Sequence, residues 1–211
     1  MRYTPRSDCQ IPNLADLYEK YLTRHPGRFV EVGAFDGYTV SNTWPLAEAG
    51  WTGLYVEPQP VQVKACRHFH REHPAITVAE LGISDHEGKM ELFEIGECSS
   101  LEWDKNAIDW GGDPLRKMTV AVTTLDKCLE TYQVLPDFDL LVIDVEQHEL
   151  KVLKGFSIRR WQPRLVIIEA HERDPAPERN WKALPIALYF DKHGYRKVYA
   201  DHINSIFLRN S

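Results

Sequence analysis

Asp144, Glu146 and His148 close an apolar run in the stretch LLVIDVEQHEL, residues 140–150. Carboxylates and an imidazole at the end of a buried strand suit proton transfer. His148 has the side chain whose ordinary pKa lies nearest neutrality. Asp144 can act as a base if it is desolvated, or can hold a ligand. Glu146 can pair with His148. The same three residues could also hold a divalent cation, which would acidify a bound hydroxyl, but the sequence offers no full ligand set. Glu149 reads differently, as an acid favoured at the start of the helix ELKVLKGF.

Two further strand ends carry acids. The stretch VEVGAFDG contains Glu31, Gly33, Asp36 and Gly37. It lacks the middle glycine of a dinucleotide fingerprint, and no GK[ST] follows. Its acids would repel a pyrophosphate but would accept a cationic ligand bearing an ammonium and a sulfonium. LYVEP follows, with Glu57 20 residues after Gly37. An acid there can accept hydrogen bonds from both hydroxyls of an adenosine ribose. The third strand ends in LGISD, where Ile83 and Ser84 can flank an adenine.

The elements that must position these residues alternate. NLADLYEKYL reads as a helix with Asn13 as its cap, followed by the strand RFVEVG. SNTWPLAEAG reads as a helix capped by Ser41, with Pro45 in its first turn. WTGLYVEP, AITVAELGI, DLLVIDV and RLVIIEA are strands of near-continuous apolar character, separated by helices such as PVQVKACRHFHREH. KMELFEIG and MTVAVTTL alternate as strands, and TLDKCLETY is a helix capped by Thr123 or Thr124. NWKALPIALYFDKHG is a helix, and YRKVYAD with NSIFLRN forms a closing antiparallel pair. The pattern is α/β: a doubly wound, Rossmann-like sheet, mostly parallel, covered on both faces, with an antiparallel C-terminal edge hairpin.

The 211 residues suit one domain, with residues 1–27 as an N-terminal helical extension and residues 96–117 as a lid or substrate loop. The chain is 43% hydrophobic and 27% charged, enough for a sizeable core. A net charge of -6 argues against a broad nucleic-acid surface and leaves room for a local basic patch. No run is long enough to span a membrane, and no signal-peptide core opens the chain. Cys9, Cys66, Cys98 and Cys128 are scattered without a CxxC, as expected of free thiols in the cytoplasm.

FVEVGAFDGYTVSNTWPLAEAGWTGLYVEPQP, LLVIDVEQHELKVLKGF, LVIIEAH and the final NSIFLR together resemble the FkbM family of S-adenosylmethionine (SAM) dependent methyltransferases. The resemblance implies a class I methyltransferase sheet, SAM as cofactor, and O-methylation of a hydroxyl on a sugar or small molecule. It places the cofactor against Glu31, Gly33, Asp36, Gly37, Ser41, Asn42, Glu57, Pro58, Ile83 and Ser84. Catalysis falls to Asp144, Glu146 and His148. Ser99 and Ser100, in the loop, and His171, in EAHERD, would touch the acceptor. Two departures from the family are Gln147, where its DVEGHE motif has Gly, and Phe35, where the first turn often has Asn. Gln147 leaves open an inactive SAM-binding module on the same fold. A nicotinamide oxidoreductase is disfavoured by the missing glycine fingerprint. His68, His70 and His73 read as a solvated helix face, and most tryptophans as packing, with a sugar platform as the alternative.

Overall fold

The computed structural model describes residues 9–95, 98–102, 113, 116–172 and 181–210. The chain runs α1 (Leu14–Tyr21), β1 (Arg28–Val32), α2 (Trp44–Glu48), β2 (Thr52–Glu57), α3 (Pro60–Phe69), β3 (Ile76–Glu80), β4 (Gly82–Ser84) and β5 (Gly88–Phe93). It continues with β6 (Lys117–Thr124), α4 (Leu125–Thr131), β7 (Leu140–Ile143), α5 (Glu149–Lys154), α6 (Ile158–Trp161), β8 (Leu165–Glu169), α7 (Ala183–Lys192), β9 (Tyr195–Ala200) and β10 (Asn204–Arg209).

Seven strands form the main sheet in the order β3-β2-β1-β7-β8-β10-β9. The first five are parallel, and β10 pairs antiparallel with both β8 and β9. The winding reverses between β1 and β7, which opens a crevice beyond their carboxyl ends, where such sheets bind ligands. Side chains alternate across the strands. Val30, Val56, Leu141 and Val166 pack on one face, and Phe29, Tyr55, Leu140 and Leu165 on the other. Both faces are covered, which is why these strands read as continuous apolar runs.

AITVAELGI is not one strand. The chain breaks at Leu81, and β4 leaves the main sheet to join a small sheet, β4-β6-β5, in which β4 runs parallel to β6 and β5 antiparallel to it. Helix starts also differ from the sequence reading. The Asn13 side chain makes no capping bond. The second helix begins only at Trp44 with Pro45 in its first turn, and the Ser41 hydroxyl accepts the amides of Thr43 and Trp44 just ahead of it. Thr124 caps α4, accepting from the Lys127 amide.

The four cysteines are free thiols. Among the described residues no helix is long and apolar enough to cross a membrane. Most of the expected loop 96–117 lies outside the described residues.

Candidate active site

Two adjoining pockets open at the carboxyl ends of the parallel strands. The larger, about 290 Å3, includes Glu31, Ser41, Asn42, Asp144, Glu169 and His171 in its wall. The smaller, about 50 Å3, is bounded by Glu57, Pro58, Ile83, Ser99, Ser100 and Leu101. Gly33, Phe35, Asp144 and Glu146 line both, so the two form one bent cleft across β1, β7 and their neighbours.

The turn after β1 is built for close approach. Gly33 has φ +83°, and a Cβ there would lie 1.6 Å from the Asp144 carbonyl oxygen. Gly37 has φ +66°, and its Cβ would meet Cys66 Sγ at 2.6 Å and His70 Nε2 at 2.9 Å. Positive φ is not confined to glycine. Phe35, Val40, Glu146, Gln147 and His171 all adopt it, at turns that follow β1, β7 and β8. Left-handed backbone costs a non-glycine residue about 1–2 kcal/mol, and these five lie around one cleft, while Gln133, Asp137 and Gln162 adopt it elsewhere.

Gln147 is the most telling of these. Its φ of +79° is the geometry that the family's glycine would adopt without strain. Its side chain accepts a hydrogen bond of 3.2 Å from the exposed Trp181 indole. Gln147→Gly is expected to stabilise the fold by up to about 1 kcal/mol, once the extra entropy of unfolded glycine is set against the relieved strain. In a domain of this size that is a rise of roughly 2–4 °C in Tm by thermal unfolding. A fall instead would mean that the bond to Trp181 outweighs the strain.

The acids on the cleft are desolvated. Burial pushes Glu31 up to about 8, with the Asp144 charge adding, while the Thr43 and Ser41 hydroxyls donate to it and pull back. Burial lifts Asp144 to about 7, helped by the Glu169 charge, against Lys182 and the Gln10 amide at 3.4 Å. Burial together with Glu169 and Asp144 holds Glu146 well above the usual carboxyl range. Glu57 is raised to about 7 by burial, although it accepts the amides of Phe35 at 3.0 Å and Gln59 at 2.9 Å.

Several expected residues stand elsewhere. Asp36 lines neither pocket. Its carboxylate folds back onto the amides of Tyr38 and Thr39 and the Thr39 hydroxyl, and so shapes the turn. His148 is 1% exposed and also lines neither pocket. Its Nδ1 faces Glu102 at 3.1 Å and its Nε2 faces Ser84 at 3.0 Å, so the expected pair with Glu146 does not form. Burial holds the imidazole below its ordinary pKa, against the pull of Glu102. Ser84 is thus engaged by His148 and lies off the smaller pocket. Ser100 donates to the Glu146 carbonyl, and Ser99 accepts the Ile95 amide at 2.9 Å.

Glu149 is more than a helix-start acid, and Lys182 escaped the sequence reading altogether. Lys182 is fully buried, 2.7 Å from Glu149 and 3.0 Å from Glu169. Burial opposes its charge, yet the two carboxyls hold the ammonium above its ordinary range. Glu169 in turn contacts His171 on the wall of the larger pocket. Burial would raise Glu169, but Lys182 and His171 override it and hold it well below the usual range. Glu149 goes the other way, raised by burial and by the neighbouring Glu169 charge, against Lys182. Around one lysine the two carboxyls are thus pushed in opposite directions, Glu169 down and Glu149 up.

His70 also departs from expectation. It is 4% exposed, and its Nε2 meets the Gly37 carbonyl at 2.9 Å. A carbonyl only accepts, so Nε2 carries the proton and Nδ1 receives the His73 N–H at 3.0 Å. Burial lowers its pKa to about 4. The ring is a neutral strut under the first turn, not part of a solvated face. Trp51 and Trp161 are core residues, while Trp181 is 53% exposed at the cleft rim. Among the described residues no group of three His, Cys, Asp or Glu side chains is placed to hold a metal ion.

A Rossmann-like sheet with its cleft at the β1/β7 reversal, acids on the first two strand ends and a strained turn after β7 defines a methyltransferase domain. The chain belongs to the methyltransferase FkbM domain family, which it matches over residues 31–197. SAM is the cofactor of this class. Among solved structures, the precorrin-6y C5,15-methyltransferase of Geobacter metallireducens aligns with a TM-score of 0.54 at 12% identity, over 99% of this chain and 93% of that one. Monomeric WbdD aligns with a TM-score of 0.53 at 16% identity, over 97% of this chain but only 42% of that longer one. At these identities the likeness is one of fold. No curated protein sequence gives a significant match.

Proposed function

We propose that the protein transfers a methyl group from SAM to a hydroxyl of a small molecule or carbohydrate. The observation that carries this reading is the charge of the larger pocket. Its described wall holds Glu31, Asp144, Glu146 and Glu169 but no lysine or arginine. Such a wall favours a cation such as SAM and disfavours phosphate or carboxylate near the reacting centre. An uncharged hydroxyl meets no penalty there.

The residues present fit the cofactor. Gly33 lets the turn after β1 pack against the Asp144 carbonyl, where any Cβ would clash, and so brings the ends of β1 and β7 together as one wall of the cleft. Glu31 and Asp144 flank the larger pocket and suit the ammonium end, with Ser41 and Asn42 beside them. Glu57 keeps free lone pairs for ribose hydroxyls, and Pro58 and Ile83 wall the smaller pocket as an adenine slot. When bound, SAM supplies a methyl carbon on a sulfonium, open to in-line attack by an acceptor oxygen. Asp144 borders both pockets and carries a carboxyl raised to about 7, which suits it to take the acceptor proton at neutral pH. Glu146 borders the same junction. His148 acts as a positioning residue: it ties the turn after β7 to Ser84 and Glu102. His171 and the exposed Trp181 offer the acceptor a polar and a stacking contact at the rim. A cytoplasmic setting agrees with the free thiols.

Calorimetric titration with SAM tests the cofactor half. Saturable binding by the native protein is expected. Glu57→Ala should weaken it at least tenfold, the effect of one lost pair of ribose hydrogen bonds of about 1.4 kcal/mol or more. The base is tested separately with a panel of neutral and phosphorylated sugars. Asp144→Asn should lower kcat at saturating SAM by about 10²-fold or more, beyond whatever SAM affinity it costs through the lost carboxylate. Turnover restricted to phosphorylated acceptors would contradict the charge argument, and folded protein that ignores SAM would remove the reading.

A further inference from the structure

The catalytic cleft uses the carboxyl ends of the parallel strands. The opposite end of the sheet carries a different chemistry. Arg164 precedes β8, Arg209 ends β10 and Arg196 lies near the start of β9. These strand ends are neighbours: the Arg209 amide donates to the Arg164 carbonyl at 3.0 Å, and Arg196 pairs with Leu208. The three arginines, with Leu208 and Asn210, line a pocket of about 140 Å3 that has no acid in its wall.

Two of the guanidiniums are already anchored. Arg164 Nε donates to the Tyr21 carbonyl at 2.6 Å. Arg209 donates to the Gln162 carbonyl and meets Asp137 at 2.5 Å. The Arg196 side chain is exposed and makes no hydrogen bond or ion pair among the described residues. The nearby carboxylates are shared. Asp137 serves Arg24 as well as Arg209, and Asp139 also lies 3.8 Å from Arg24. Among the described residues, then, Arg24 and Arg209 share Asp137 while Arg164 and Arg196 make no ion pair, in a chain whose net charge is -6.

We propose that this pocket binds a phosphoryl group. Three arginines meeting in one concavity present several N–H forks, and a tetrahedral, multiply charged phosphate offers them more oxygens and more charge than a carboxylate does. The anchoring of Arg164 and Arg209 fixes two forks in advance, which lowers the ordering cost of binding. The five residues of β8 separate this pocket from the methyl-transfer cleft by roughly 17 Å at about 3.3 Å per residue. The bound phosphoryl group is therefore not the reacting end of the acceptor. It tethers the enzyme to something that bears phosphate, either a free phosphate compound or a phospholipid headgroup.

The test uses the full chain and two probes. One is inorganic phosphate, titrated by calorimetry at low ionic strength in a phosphate-free buffer. The other is phosphatidylglycerol vesicles, compared with phosphatidylcholine vesicles by co-sedimentation. Each is run on the native protein and on Arg196→Glu, which alters an exposed, unpaired side chain and should leave SAM binding unchanged. Saturable phosphate binding weakened at least tenfold in Arg196→Glu supports a free-phosphate site. Binding only to phosphatidylglycerol vesicles, lost in the same variant, supports the headgroup. Binding to neither probe, or binding that ignores the substitution, overturns the proposal. SAM affinity, measured in parallel, reports on the methyltransferase reading independently.

Discussion

Lys182→Met should destabilise the protein by about 3–5 kcal/mol at pH 8, the usual result of removing one partner from a buried ionic cluster. For a domain of this size that is a drop of roughly 10 °C in Tm. The ammonium lies fully buried between Glu149 and Glu169. Without it, Glu169 keeps the His171 contact and its hydrogen bond with Glu149 but no lysine. The pH dependence has a definite sign. In the native protein Glu169 is held well below the ordinary carboxyl range. Its contribution is present above the unfolded value of about 4.3 and is lost only as pH falls through the depressed folded one. In the variant, burial acts without the cation, the folded carboxyl rises above its unfolded value, and stability falls as pH rises. The gap between native and variant Tm should therefore be wide at pH 8 and narrow at pH 5. A gap independent of pH would mean that lost packing, not charge, accounts for the loss.

The same cluster predicts a contrast between two like substitutions. Glu149 is raised by burial and the Glu169 charge while Glu169 is held down, so of the two it parts less readily with its proton. Glu149→Gln keeps the side chain's shape and removes the carboxyl that ionises less readily, and should cost about 1 kcal/mol. Glu169→Gln removes the anion that pairs with Lys182 and should cost several times more. Equal losses would show the proton to be shared evenly between the two carboxyls.

Some of this was readable from residues alone, and the reasons are local. Strands buried on both faces must be apolar throughout, so RFVEV, LLVI and LVIIE announced a parallel sheet, and their ends announced the cleft. Glu57 was placed by the length of one strand–helix–strand unit. Lys182 was not legible, because a lysine in an amphipathic helix reads as solvated unless its partners are known. Those partners come from α5 and β8, 33 and 13 residues earlier in the chain. His148 was misaimed for a related reason. Its ring turns toward Ser84, which is on β4, and β4 had been read as the tail of β3. Gln147 adopts a positive φ at the position where the resembled motif has glycine. A sequence records the substitution but not the backbone that the turn after β7 imposes.

Binding of SAM should tighten by about tenfold or more between pH 6.0 and pH 7.5 and should release protons into the buffer. Glu31, at about 8, and Asp144 and Glu57, at about 7, all sit above the ordinary carboxyl range because burial disfavours their charge. Without ligand, each holds a proton through part of the neutral range. A cationic ligand favours the ionised form of Glu31 and Asp144, and hydroxyl donors do the same at Glu57. Each carboxyl that must ionise one unit below its pKa weakens binding about tenfold. Below pH 7.5 the cofactor's own amino group, with an ordinary value of about 7.7–8.0, stays mostly charged, so the trend belongs to the protein. Calorimetry in two buffers of different ionisation enthalpy reads the protons directly. The free protein should show the opposite slope. Carboxyls raised above their unfolded values make stability fall as pH climbs from about 5 to 8, so the rise in Tm on adding SAM should grow over that interval. Affinity that is flat with pH, with no proton release, would mean that these carboxyls are ionised before the cofactor arrives, and the cleft would then need a standing cation other than SAM to hold them so.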